Sequence, residues 1–240
     1  MKYILIILTS ILCINKFEAQ PPLYNDLLIM YVDGDYKKLA AKAEKYTIKD
    51  ETKNDPYAYL WTAKALFKIS FQNEKDEAFQ NAYKESIGFL TKCIKKDKTH
   101  EVFDKEKDFF YEVKNSLIEL IINEYTTKDY KKAQDWSKKI MMIFPDDIPA
   151  KFIEAACKYQ LKDLPGATTI WNENQRSFEL IQSIDLWTEK EKEFLKLSII
   201  ETMICFKNTK QPERAKSIGQ KANLWFSKDD DFNMIYNTVK

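Results

Sequence analysis

The chain of 240 residues carries 38 Lys and Arg against 37 Asp and Glu, with one histidine, four cysteines and only four glycines. This balance excludes a nucleic-acid binder, whose affinity needs a basic excess to displace counterions from phosphates, and describes well-solvated helix faces. A single histidine excludes a two-histidine metal motif, and glycines more than fifty residues apart exclude a P-loop, a dinucleotide fingerprint and a G-x-S-x-G nucleophile elbow.

Met1 and Lys2 precede an apolar run from Tyr3 to Ile14, after which Asn15 and Lys16 lead to Phe17, Glu18 and Ala19. A positive start, a short apolar middle and a small residue at the end form the layout of a Sec signal peptide. As a helix the run is roughly 18 Å long, well short of the ~30 Å hydrocarbon core of a bilayer. The expectation is a signal peptide over 1–19, cut after Ala19, and an exported chain, periplasmic or secreted, with no membrane span left after the cut. Phe17 is bulkier than the small residue such a cut prefers. Cys13 raises a lipid-anchored alternative, against which Leu12 immediately before it stands. Removal of 1–19 leaves 36 positive and 36 negative charges.

Over 20–240, apolar residues recur at spacings of three and four, as in Leu117, Leu120 and Ile121, or Phe194, Leu197, Ile200 and Ile204. That period lays them along one stripe of a helix. Start signals agree. Asp55 before Pro56 offers an N-cap carboxylate with proline at the first helical position, Asp147 with Pro149 repeats it, and Thr188 with Glu191 forms a capping box. Helices are expected at 22–32, 35–47, 56–70, 76–96, 102–126, 129–143, 149–161, 164–175, 189–207, 212–226 and 230–238. The acidic clusters Asp146-Asp147 and Asp229-Asp230-Asp231 then fall at helix N-termini, where unpaired N–H groups favour negative charge, and read as caps in preference to metal sites. Cys93, Cys157 and Cys205 are too dispersed for a zinc cluster and fit buried helix faces, with a disulfide between two of them left open. His100, in a polar stretch, reads as an exposed loop residue.

Tyr125, Lys128, Asp129 and Ala133 recur as Tyr159, Lys162, Asp163 and Ala167, each 34 positions later, and 34 is the period of the tetratricopeptide repeat. From Lys114 to Asp147 the segment resembles one such unit, with Leu120 at the helix-A leucine, Asp129-Tyr130 at the turn, Ala133 at the small helix-B position and Pro145 at the closing proline. Gly34-Asp35-Tyr36 reproduces the turn near the start, although Leu39 replaces the small residue. Lys210 to Ala215 parallels Lys162 to Ala167 but 48 residues on, which implies an insertion around 176–187. The match is tight over 114–170 and loose elsewhere; even within 114–170, Ile121 and Glu124 depart from the family's glycine and tyrosine. The Lys-, Asn- and Ile-rich usage and the Ala-Gln junction are similar to envelope proteins of the Bacteroidetes.

The resemblance implies an all-α fold, a right-handed α-α superhelix of stacked hairpins, because each hairpin leaves an apolar face that only a neighbour can cover. It also implies a non-enzymatic scaffold, without metal or cofactor, that holds a protein or peptide partner in its groove, in a setting of envelope assembly or secretion. In the family's register Tyr31, Tyr125 and Tyr159 face that groove, as do Asn115, Glu119, Phe152 and Gln160; the bland reading packs the tyrosines between helix A and its neighbour. The lysine and asparagine set that clamps a peptide carboxylate is absent, since Glu119 and Ile153 stand where asparagine would. Of the five tryptophans, Trp61, Trp136, Trp171 and Trp225 read as core and Trp187 as the one with most claim to exposure. The alternative function is an all-helical enzyme or glycan-binding protein of the envelope, which a carboxylate pair in a pocket or an exposed Trp187 beside other aromatics favours.

Overall fold

The structure, a computed structural model, describes residues 24–72 and 76–240. The leader at 1–19, its cut after Ala19 and Cys13 lie outside the described residues. Within them the chain is all-α, with twelve α-helices and no strand. Helices α1 (Asn25–Val32) and α2 (Tyr36–Ile48) form the first hairpin, and α3 (Pro56–Ser70) and α4 (Ala82–Lys96) the second. A short α5 (Glu101–Lys105) leads into the third, α6 (Lys107–Thr126) with α7 (Tyr130–Ile143). The fourth pairs α8 (Ile148–Gln160) with α9 (Leu164–Glu179), and the fifth α10 (Glu189–Asn208) with α11 (Pro212–Phe226), before a terminal α12 (Asp230–Tyr236).

The caps explain where helices begin. Asp55 accepts from the Tyr57 amide at 2.9 Å, Asp147 from Ala150 at 2.8 Å and Asp229 from Phe232 at 2.9 Å. Thr188 and Glu191 exchange both bonds of the capping box, at 3.2 and 3.0 Å. Each bond satisfies an amide that the first turn leaves without an intrahelical partner. Expected and observed helices agree with three differences of substance. The segment expected as one helix over 76–96 is broken into a 3-10 turn at Glu77–Phe79 and α4, the one expected over 102–126 is broken into α5 and α6 where Glu106 leaves the helical conformation, at φ −112° and ψ 21°, and α9 runs on to Glu179, into the stretch expected as an insertion. That extension is held by Phe178, which is buried between Phe152 and Trp225, with ring centroids 5.4 and 6.0 Å away.

Four hairpins share one turn. Gly34, Lys128, Lys162 and Lys210 each adopt a positive φ, between 59° and 78°. Each donates its amide to the carbonyl three residues back, at 3.0 to 3.2 Å, and the following residue donates to the carbonyl five back, at 2.8 to 2.9 Å. This is the Schellman closure of a helix C-terminus, usually built on glycine. Five residues beyond each turn stand Leu39, Ala133, Ala167 and Ala215, all fully buried. The repeat inferred from 34-residue spacing is therefore a repeat of backbone geometry, and the hairpins from 114 to 143 and from 149 to 175 lie side by side through α7 and α8.

Stacking proceeds as α2 on α3, α4 on α7, α7 on α8 and α8 on α10, giving a superhelical repeat fold. One contact exceeds simple stacking, because α10 also reaches α6. Between them α8 is buried along nearly its whole length. Cys93, Cys157 and Cys205 are free and buried, and His100 is exposed at the head of α5. No described helix is long and apolar enough to cross a membrane.

Candidate partner-binding cleft

Helix α6 has two faces with different fates. On the inner one, buried Lys114 sits between Asp147 at 2.8 Å and Glu191 at 2.6 Å, so that one ammonium ties α6 to the N-termini of α8 and α10. Burial works against the charge on Lys114, but the two carboxylates outweigh it and hold its pKa above the ordinary lysine value. Burial likewise pushes Glu191 up, and Lys114 with the Thr188 bonds brings it below the ordinary value. About three turns of helix further along, the Tyr125 hydroxyl donates to Glu201 at 2.7 Å. Burial, then the Glu201 charge, drives the Tyr125 phenol up, and burial raises Glu201 despite that bond. Glu119 pairs with Lys190, adding a third link from α6 to α10.

The opposite face of α6 is open. Ser116, Leu120 and Asn123 form one wall of a cleft of about 580 Å³, faced by Phe71 at the end of α3, Asn81 and Tyr83 at the start of α4, and Trp136 on α7. Tyr83 is its floor. The hydroxyl lies 2.7 Å from the Ser116 hydroxyl, and the ring meets Trp136 and Phe71 edge to face, with centroids 5.8 and 6.2 Å apart. Burial pushes the Tyr83 phenol up to about 12. Phe71 is 62% exposed although it sits among these rings, and Asn81 and Asn123 are exposed at the rim. The walls are held in place by Lys68 on α3 pairing with Glu112 on α6 at 2.8 Å.

Of the seven residues expected at a groove, Glu119 lies on the margin of this cleft. Asn115 is one turn away on the same helix, its Oδ1 buried without a hydrogen-bond partner among the described residues. Tyr125 and Phe152 do not present a surface: they are 6% and 1% exposed, because α10 closes over Tyr125 and Phe178 covers Phe152. Tyr31 and Tyr159 are partly buried against the core, and Gln160 is partly buried at the end of α8. The packing role is visible in the rings. Tyr31 meets Tyr36, and Tyr125 meets Tyr130, each across the shared turn at 5.7 and 5.1 Å. Trp187 is partly buried against the core and the full exposure falls on its neighbour Leu186, while Trp136 belongs to the cleft wall.

The residues that sequence reasoning missed are Phe71, Tyr83, Trp136, Asn81 and Asn123. They come from three helices and a loop, and no repeat or spacing links them. Among the described residues no group of three or more His, Cys, Asp or Glu is arranged to hold a metal ion.

No protein-family model matches the chain, and no curated protein matches it. Among solved structures, the complex of the TPR2AB domain of yeast Sti1 with pHSP90 is similar at 13% identity, over 90% of this chain and 83% of that one, with a TM-score of 0.33.

Proposed function

We propose that the chain is a non-catalytic scaffold that holds an extended segment of another protein in the cleft between the second and third hairpins. The cleft itself carries this reading. Its floor is aromatic, offering Phe71, Tyr83 and Trp136 to a bulky apolar side chain, with large contact area at low entropic cost. Its rim carries the carboxamides of Asn81 and Asn123, which both donate and accept and so match the alternating N–H and C=O groups of an extended backbone. The raised acids Glu154 and Glu201 sit among buried helices and not in the cleft, which weighs against the enzyme alternative. Export to the periplasm or beyond, and a role in envelope assembly or secretion, rest on the leader pattern from Met1 to Ala19 and on composition.

The test is selection of random peptides displayed on phage against the mature chain. Enriched peptides are expected to share a bulky apolar residue and to lose binding at least tenfold to an Asn81→Ala/Asn123→Ala variant, about 1.4 kcal/mol or more. Peptides that bind this variant as tightly as the parent chain place recognition elsewhere and remove the proposal.

A further inference from the structure

A second surface lies on the first hairpin, away from the cleft. Lys38, Lys42 and Lys45 along α2, and Lys49 capping its C-terminal end, recur at intervals of four, three and four, which at about 3.6 residues per turn gathers them into one narrow arc. Buried Leu39, Ala40 and Ala43 occupy the far side of the helix. With Ala41 and Tyr46 the four lysines line a shallow depression of about 400 Å³.

Their charges are only half compensated. Lys38 pairs with Asp35 at 2.8 Å and Lys42 with Asp26 at 2.7 Å. Lys45 and Lys49 have no carboxylate partner among the described residues, and the Lys49 ammonium stands 4.8 Å from the centre of the Tyr46 ring. The Tyr46 hydroxyl is engaged by Asp26 at 3.0 Å, which fixes the ring at the edge of the row. The row is roughly 16 Å long, at about 1.5 Å per residue, so cations follow one another every 5 to 6 Å, roughly one helical turn.

A single file of cations beside a small apolar floor suits a narrow linear polyanion. A flat lipid surface fits less well, because the exposed apolar residue of this helix, Ile48, lies off the arc of the lysines. A duplex nucleic acid presents two charged rails and asks for a basic excess that the chain lacks. We propose that this row binds an acidic polysaccharide, whose carboxylate or sulfate groups pair in sequence with Lys38, Lys42, Lys45 and Lys49 while a sugar ring lies over Ala41 beside Tyr46.

The probe is dextran sulfate, titrated into the mature chain by calorimetry at about 0.05 and 0.15 M salt, where screening lengths differ enough to separate ionic contacts. Saturable binding that weakens with salt is expected, falling at least tenfold in Lys45→Gln/Lys49→Gln and little in Lys98→Gln/Lys228→Gln, which removes the same charge from exposed sites elsewhere. Equal loss in both variants means unspecific attraction and overturns the proposal, as does absence of binding at the lower salt. Phosphatidylglycerol vesicles and inorganic phosphate are run in parallel; binding to the vesicles without dextran sulfate replaces the polysaccharide by a membrane, and binding of phosphate alone by a small anion.

Discussion

The two faces of α6 differ in what crosses them, and the difference shows why a groove-facing register does not guarantee a groove. Both faces occupy the same helix, and both contain residues that a regular hairpin stack leaves accessible. On the inner face α10 reaches across and closes on Lys114 and Tyr125. On the outer face Ser116, Leu120 and Asn123 meet no such helix and open onto a cleft. Accessibility is thus decided by a contact between residues more than seventy positions apart in sequence, which a 34-residue pattern does not encode.

Substitutions sharpen the contrast, beginning with the strongest. Lys114→Ala leaves Asp147 and Glu191 buried and uncompensated and is expected to cost about 3–5 kcal/mol in urea unfolding, whereas Lys190→Ala, at the exposed end of the same helix contact, is expected to cost less than about 1 kcal/mol. Comparable losses would mean that both sites are equally buried. Phe152→Ala, which empties the core between α8 and α9, is expected to cost about 3–5 kcal/mol, while Asn123→Ala on the cleft rim stays within about 0.5 kcal/mol of the parent chain.

The shared turn gives a smaller effect with a sign that changes between hairpins. Lys128→Gly and Lys162→Gly relieve a side chain held at positive φ and are expected to stabilise by about 0.5–1 kcal/mol each, whereas Gly34→Ala destabilises by a similar amount. Thermal midpoints of the single variants check this, and a destabilised Lys128→Gly would show that its lysine is not strained.

The smallest effect separates two glutamates of α10 by pH. Glu191 has a folded pKa below its ordinary 4.5, so its contribution is present above that value and is lost as pH falls through the depressed one. Glu201 has a raised folded pKa, so its ionisation opposes folding and the penalty fades as pH falls through the raised value toward 4.5. In urea unfolding from pH 7 to about 2, Glu191→Gln is expected to shrink the acid-side loss and Glu201→Gln to enlarge it. Parallel profiles for the two variants would remove the account of the α6–α10 junction.

What was legible in the sequence was local. Asp55-Pro56, Thr188 with Glu191, and the recurrence of Lys128-Asp129 as Lys162-Asp163 each specify a cap or a turn within a few residues, and helix limits followed from them. The register of the repeated turn marked tyrosines that do pack at equivalent places, Tyr31 on Tyr36 and Tyr125 on Tyr130. What was not legible depended on distant partners. Phe178 extends α9 because Phe152 and Trp225 receive it, and Phe71, Tyr83 and Trp136 form one aromatic cluster although the first two come from the second hairpin and Trp136 from α7 in the third.

The central claim, one sealed and one open face on α6, is tested most directly by the rate at which a thiol on each face reacts with a maleimide in a folded chain of residues 20–240. The native Cys93, Cys157 and Cys205 are buried and give a slow background. An Asn123→Cys variant is expected to react at nearly the rate of a free thiol, and a Tyr125→Cys variant, with helical content intact by circular dichroism, at least a hundredfold more slowly until urea is added. Equal rates at the two positions in the folded state would contradict the account.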